Sequence, residues 1–89
     1  MWFQSFILSN FTAMKTELLI KFGKRIKLLR KERNWSQEKL AEKTGFHRTY
    51  IGMIERGERN PSLVSINVFA ETFGINISEL LKLEYEVQP

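Results

Sequence analysis

The apolar residues of this chain recur with the spacing of α-helices, and no long stretch keeps the alternation typical of β-strands. The first clear helix is predicted over residues 17–32, where lysine and arginine cover the outer surface. Its inward stripe, at i, i+3, i+7 and i+10, consists of Leu19, Phe22, Ile26 and Leu29. Gly23 lies inside this helix and is expected to weaken it by about 1 kcal/mol relative to alanine.

Four shorter helices follow, and we predict them over residues 37–43, 47–56, 63–73 and 77–83. Three of them follow a side chain that can accept from free backbone N–H groups, namely Ser36, Ser62 and Asn76. Three end before a glycine suited to a left-handed conformation, namely Gly45, Gly57 and Gly74. The pattern therefore predicts an all-α fold of five helices.

The length of 89 residues allows one domain with a thin core, for which self-association is a common remedy. The chain has no cysteine, which excludes disulfides and thiolate chemistry and fits a reduced cytoplasm. His47 is the only histidine, so we expect no metal site built on histidines. No catalytic Ser/His/Asp set or phosphate-binding glycine loop is present, so we expect no enzyme and no cofactor.

Charge is distributed unevenly along the chain. Residues 1–60 hold 13 of the 14 lysines and arginines and six of the ten acidic residues, a net charge of +7. Residues 61–89 carry a net charge of −3. This asymmetry favours one face that binds a polyanion, although a lysine-rich solubility surface would show the same composition.

No apolar run approaches the roughly 20 residues of a transmembrane helix, so we expect no membrane partner.

The two ends of the chain differ from its centre. We divide the chain into an N-terminal arm over residues 1–15, one domain over 16–84 and a C-terminal tail over 85–89. Residues 1–13 of the arm are apolar and uncharged, and we expect the arm to be an accessory segment, poorly ordered, or upstream of a true start at Met14. The tail is expected to fray.

Residues 37–56 form one unit, in which two short helices are joined by a three-residue turn centred on a glycine. Leu40, Phe46, Ile51 and Ile54 can close a small core between these helices. Ala41 is small enough to let them approach, and Gly45 permits the sharp turn. Packing and backbone geometry thus predict a helix-turn-helix.

The stretch Trp35-Ser-Gln-Glu-Lys-Leu-Ala-Glu-Lys-Thr-Gly-Phe, followed by Tyr50-Ile-Gly-Met-Ile-Glu-Arg-Gly, resembles the Xre family of lambda-repressor-like helix-turn-helix domains. Asn60-Pro-Ser-Leu, Phe69-Ala and Phe73-Gly-Ile fit the same pattern, which covers about residues 20–83. The chain is similar to controller proteins of restriction–modification systems in its small size and in the runs Arg48-Thr-Tyr-Ile and Ile54-Glu-Arg. The chain departs from the family pattern before Met14 and at Gly52, where serine is more usual.

The resemblance implies that helix 47–56 is a recognition helix, lying in the major groove of double-stranded DNA. Arg48 would read guanine, Thr49 would contact a thymine methyl or a base edge, and Met53 would act as a spacer beside Gly52 on the outward face. The DNA-binding residues it implies are Gln37, His47, Arg48, Thr49, Tyr50, Arg59 and Asn60.

The implied contacts of the other residues differ in kind. Gln37 would bind a phosphate, and Arg59 and Asn60 would contact the DNA backbone or the minor groove. His47 is either a phosphate contact or an exposed residue at a helix start. Tyr50 stays open between base, phosphate and core. The resemblance also implies that Arg30 and Glu55 form an ion pair that joins two helices, in preference to a place for Arg30 in a DNA-binding patch.

An apolar strip outside the inward stripe of the fourth helix indicates an interface. Val64 and Val68 lie at i and i+4, and with Leu81 and Leu83 they could form a two-fold homodimer contact, although surface valines are also ordinary. A dimer would bind two half-sites of a pseudo-palindromic operator.

We therefore interpret the chain as a dimeric, sequence-specific transcriptional regulator that blocks or recruits RNA polymerase. The resemblance implies autoregulatory control of a restriction–modification system. A phage-type repressor and an antitoxin autorepressor share the fold and remain alternatives. A protein-interaction module built on the same fold is the alternative of another class.

Overall fold

The computed structural model describes residues 2–84 and, for positions 2, 3 and 6, the backbone alone. These residues form five α-helices and no strand: α1 (Trp2–Glu32), α2 (Gln37–Thr44), α3 (Arg48–Glu55), α4 (Leu63–Phe73) and α5 (Ile77–Leu80). The predicted all-α class with five helices is confirmed. The tail predicted over residues 85–89 lies outside the described residues. None of the helices described over residues 2–84 combines the length and the hydropathy that spanning a membrane requires.

Helix α1 is much longer than predicted. It begins at Trp2 rather than near residue 17, so the predicted helix start is wrong. No proline or glycine interrupts the chain before Gly23, so nothing breaks the helix. The added turns carry no inward stripe, because every side chain described between residues 4 and 18 is exposed. A helix of 31 residues measures about 46 Å, which agrees with the longest molecular dimension of 47 Å.

Other helix ends also differ from the prediction. Helix α5 stops at Leu80 instead of residue 83. The Arg25 side chain of α1 satisfies the free carbonyls there, since its Nη2 donates to Glu79 O at 2.8 Å and its Nε donates to Leu80 O at 3.1 Å. Helix α3 is one residue shorter at each end than predicted, because His47 and Arg56 are its caps.

All five helices contribute to one hydrophobic core, which contains Phe22, Ile26, Leu29, Leu40, Ala41, Ile51, Ile54, Phe69, Ala70, Phe73 and Leu80. Phe69 lies at its centre and meets Phe22 and Phe46 edge to face, at ring-centroid distances of 6.3 and 5.3 Å. Trp35 follows α1 and stacks on Phe73 of α4 at 5.9 Å. The aromatic residues therefore join α1 and the turn of the helix-turn-helix to α4.

Gly23 is a packing requirement and not merely the weak point that the sequence predicts. A Cβ atom at this position would collide with the backbone carbonyl oxygens of Ile54 and Glu55, the latter at 2.6 Å. The backbones of α1 and α3 therefore touch where they cross. A side chain at residue 23 would push α3 away from α1.

We expect Gly23→Ala to destabilise the protein by about 2 kcal/mol. The clash with fixed backbone carbonyls costs more than the roughly 1 kcal/mol that alanine gains as a helix former. Urea unfolding measures the change, and Lys24→Ala, at the exposed neighbouring position, is the control expected to stay within about 0.5 kcal/mol. A Gly23→Ala protein as stable as the parent would show that the crossing is not tight.

Candidate nucleic-acid interface

The turn between α2 and α3 consists of the three residues 45–47. Gly45 has a φ of 79°, and its N–H donates to Ala41 O at 2.9 Å. The Thr44 hydroxyl donates to Leu40 O at 2.9 Å and accepts from the Phe46 N–H at 3.2 Å. Backbone conformation and a single hydroxyl thus set the angle at which α3 leaves α2.

The first residues of α3 present polar side chains to solvent. His47 caps the helix, since its Nδ1 accepts from the Thr49 N–H at 3.0 Å. His47, Arg48 and Thr49 are all exposed. This end of α3 is accessible to a ligand, and its free N–H groups favour an anion.

Arg48 is held by Glu38 of α2, a partner that the sequence reasoning missed. Its Nε donates to Glu38 Oε1 at 2.9 Å. The backbone N–H of Glu38, followed by the Arg48 guanidinium, lowers the pKa of the Glu38 carboxyl, which keeps it ionised. Within residues 2–84, Arg48 makes this one hydrogen bond, so its two terminal nitrogens can bind a ligand. The only sequence signal was an acidic residue in the first turn of α2.

Four other predicted residues line a shallow cavity of about 390 Å³ beside α3: His47, Tyr50, Arg59 and Asn60. The Arg59 guanidinium lies 5.6 Å from the centroid of the half-buried Tyr50 ring. The Tyr50 ring also packs edge to face against Phe46, with the ring centroids 5.0 Å apart. Tyr50 therefore belongs both to the edge of the core and to the candidate interface.

Gln37 is half-buried at the start of α2, and its Nε2 donates to Glu55 Oε1 at 3.1 Å. Because an amide nitrogen carries two hydrogens, one N–H is left for a phosphate. Gly52 does not belong to the exposed face of α3 as predicted. It is buried, and Arg56 Nη1 lies 3.0 Å from where its Cβ would be, so the Arg56 side chain covers it. Met53 is half-buried.

Arg30 and Glu55, the residues expected to form an ion pair, lie in contact. Arg30 Nε and Nη2 donate to the two Glu55 oxygens at 2.7 and 3.0 Å, and Arg30 Nη1 donates to Trp35 O at 2.8 Å. Their side chains are only 9% and 3% exposed. The hydrogen bond to Glu55 raises the pKa of the Arg30 guanidinium. With the bond from Gln37, this network joins α1, α2 and α3.

Several of the basic residues among the first 60 positions form hydrogen bonds within the protein. Arg25 caps α5, as described above, and Arg33 donates to Leu29 O and Phe73 O at 2.9 and 2.7 Å. With Arg30, three arginines are therefore tied to the protein itself. The basic residues that stay exposed on α1, α2, α3 and the loop after it are Lys15, Lys24, Lys27, Lys31, Lys39, Lys43, Arg48, Arg56 and Arg59.

The four residues predicted for a dimer contact do not all face one cavity. Val64 is 74% exposed on α4, and Val68 is half-buried. Leu81 is 40% exposed, and Leu83 packs partly against the core. The two leucines line a cavity of about 330 Å³, to which α4 contributes Ile66 and not the valines. Within residues 2–84, no cluster of three or more His, Asp or Glu side chains could hold a metal ion.

We expect Arg30→Met to destabilise the protein by about 3 kcal/mol, because it leaves the Glu55 carboxylate buried without its cation. Thermal and urea unfolding measure the loss. Arg48→Met is the matched control, since it breaks the exposed ion pair with Glu38 and should leave stability nearly unchanged. Equal, small effects of both substitutions would show that the Arg30–Glu55 pair does not support the fold.

The α2–turn–α3 unit, in which α3 is capped and exposed at its start, defines this protein as a helix-turn-helix protein. The sequence profile of the helix-turn-helix family HTH_3 matches residues 26–80, and the chain belongs to this family. The family resemblance read from the sequence is confirmed.

Two relatives represent two kinds of regulator. Control protein C.MunI from a Mycoplasma species is 43% identical over 65 residues, which are 72% of this chain and 88% of that protein. The immunity repressor protein of Bacillus phage phi105 is 44% identical over 59 residues, which are 66% of this chain. The matched part is 41% of the repressor, so this chain spans less than half of its length.

Solved structures show the same architecture. The restriction-modification controller protein C.AhdI from Aeromonas hydrophila is 46% identical with a TM-score of 0.68, covering 71% of this chain and 96% of that one. The controller protein C.Esp1396I, solved as a tetramer with its natural 35-base-pair operator, is 34% identical with a TM-score of 0.67. That match covers 73% of this chain and 86% of the other.

Proposed function

We propose that this protein is a sequence-specific, DNA-binding transcriptional regulator that binds a pseudo-palindromic operator as a homodimer. The observation that carries the proposal is the exposed start of α3, where His47, Arg48 and Thr49 stand beside Arg59 and Asn60. Similarity to C.AhdI and to the operator-bound C.Esp1396I supports it. Recognition in the major groove requires polar donors on a helix whose opposite side packs against the core.

Base recognition is assigned to Arg48 and Thr49. With its Nε bonded to Glu38, Arg48 keeps Nη1 and Nη2 for the O6 and N7 acceptors of guanine. Glu38 then acts as a positioning residue, because it limits the rotamers that the arginine can adopt. Thr49 offers a hydroxyl and a methyl group to a neighbouring base edge.

Phosphate contacts are assigned to the residues that flank α3. Gln37 offers its second amide N–H at the N-terminus of α2, and His47 lies at the N-terminus of α3. Arg59 and Asn60 border the cavity beside Tyr50, where a DNA backbone or the edge of a minor groove can lie. These contacts set register and affinity, while Arg48 and Thr49 set specificity.

A dimer is needed because one recognition helix contacts few base pairs, whereas two half-sites one helical turn apart supply further affinity and specificity. We assign this contact to Val64, Val68, Leu81 and Leu83. The regulator then acts in the cytoplasm without catalysis, and it blocks or recruits RNA polymerase according to where the operator lies.

Similarity to C.MunI and C.AhdI favours control of the protein's own gene and of a restriction–modification system. The 44% identity to the phage phi105 immunity repressor favours a phage-type repressor as the second candidate. The genes next to the coding sequence distinguish the two, because an endonuclease gene accompanies only a controller.

We expect Arg48→Ala to weaken binding to the operator by about 1–3 kcal/mol and to relax the preference at one base pair of each half-site. Anisotropy titrations on a duplex selected from random sequences, and on a scrambled duplex in the same salt, measure both effects. Arg59→Ala is the control for a phosphate contact, and it should weaken both complexes alike. Equal losses on the two duplexes for Arg48→Ala would remove Arg48 from base recognition. A parent protein that selects no sequence would favour a protein-interaction module.

A further inference from the structure

The N-terminal half of α1 carries an apolar stripe that the proposed DNA-binding function does not use. Ile7, Phe11, Met14 and Leu18 follow one another at i, i+4, i+7 and i+11, and we call them the seam. They are 50%, 56%, 59% and 45% exposed, respectively. This is the alternating spacing of the two apolar positions of a heptad, with which helices pack side by side in coiled coils.

The side of α1 opposite the seam is polar. Ser5, Ser9, Thr12 and Thr16 lie on the opposite side of α1, by the 100° rotation per residue of an α-helix. The first charged side chain of the chain is Lys15, so residues 2–14 carry none. An uncharged seam offers no ion pair to an acidic or basic partner, and its recognition must come from apolar packing.

Packing of this segment has to come from another molecule. Every side chain described between residues 4 and 18 is exposed, so the rest of the chain buries none of them. Short helices without tertiary packing are marginally stable in water. A helix of this length with four large apolar residues on one side therefore gains stability when a partner covers that side.

The position of the seam indicates which partner that is. At its C-terminal end, Leu18 lines the 330 Å³ cavity together with Leu81 and Leu83, two residues of the proposed dimer contact. The seam thus continues the surface assigned to self-association. Covering four half-exposed residues on each of two chains, with flanking Leu8, removes on the order of 1,000 Å² from water, the lower limit for a specific interface.

We infer that the seam packs against the seam of a second copy of this chain, as a short two-helix coiled coil that extends the dimer. This inference rests on the proposed function for its dimer but not for its DNA contacts. The domain contact through α4 and α5 brings two chains together, and the coiled coil lowers the concentration at which they dimerise.

Cysteine cross-linking tests the contact directly, since the parent chain contains no cysteine. Ile7→Cys, Phe11→Cys and Met14→Cys, made singly in the full chain, should form disulfide-linked dimers under mild oxidation. A parallel pair links at all three positions and an antiparallel pair only at its crossing point. Ser9→Cys, on the polar side, is the control expected to stay monomeric on a non-reducing gel. No link at any seam position, or equal linking at Ser9→Cys, would overturn the inference.

Sedimentation equilibrium in the absence of DNA measures how much the seam contributes to dimerisation. The double variant Phe11→Glu with Met14→Glu should raise the dimer dissociation constant by about ten-fold or more, because it buries unpaired like charges between the two helices. Ser9→Glu with Thr16→Glu adds the same charges on the opposite side and should leave the constant unchanged. An unchanged constant for the seam variant would overturn the inference, and so would equal weakening by the control pair.

A third variant separates this inference from the proposed function. Val64→Glu, in the domain contact, should weaken dimerisation and operator binding while the seam cysteines still link at high concentration. If the seam variant dimerises as the parent does and operator binding is intact, only the coiled coil is wrong. Flotation of the full chain with neutral phosphatidylcholine vesicles, lost in the seam variant, would assign the seam to a lipid surface instead and overturn the inference.

Discussion

The crossing of α1 over α3 is the constraint on which the remainder of the structure depends. At one end of the crossing Gly23 lets the two backbones touch, and at the other Arg30 and Glu55 form a nearly buried, bidentate ion pair. An apolar contact alone would tolerate sliding of one helix along the other. Because two carboxylate oxygens meet two guanidinium nitrogens, the register and rotation of α3 are specified as well. The buried Glu55 also accepts from Gln37, so α2 is held in the same frame.

This arrangement divides the polar residues of α3 between two tasks. Towards the C-terminal end of α3, Glu55 faces the protein and secures the helix. Its N-terminal end, with Arg48 and Thr49, is exposed and free to bind. A rigid support matters because base recognition requires donors held within fractions of an ångström, and Glu38 extends that support to the Arg48 side chain itself. In the proposed function, support and recognition thus come from opposite ends of one eight-residue helix.

Much of the fold could be predicted from the sequence, because local signals specify it. Apolar periodicity and capping residues such as Ser36 and Gly45 predicted the helices and the turn between α2 and α3. The rest depends on contacts between distant positions. Gly23 looks like a defect until α3 lies against it, and the pairing of Arg48 with Glu38 spans ten residues of two different helices. The helical start of α1 could not be predicted from a core-facing stripe, because the apolar residues of the seam are exposed and lie outside the hydrophobic core.

We propose that the α1–α3 crossing presents α3 for sequence-specific binding at the protein's own promoter. Fluorescence anisotropy with a duplex from upstream of its gene, against a scrambled duplex of equal length in the same near-physiological salt, tests it most directly. A preference of about 10³-fold or more for the upstream duplex is the predicted result. Equal, weak binding to both duplexes would contradict it.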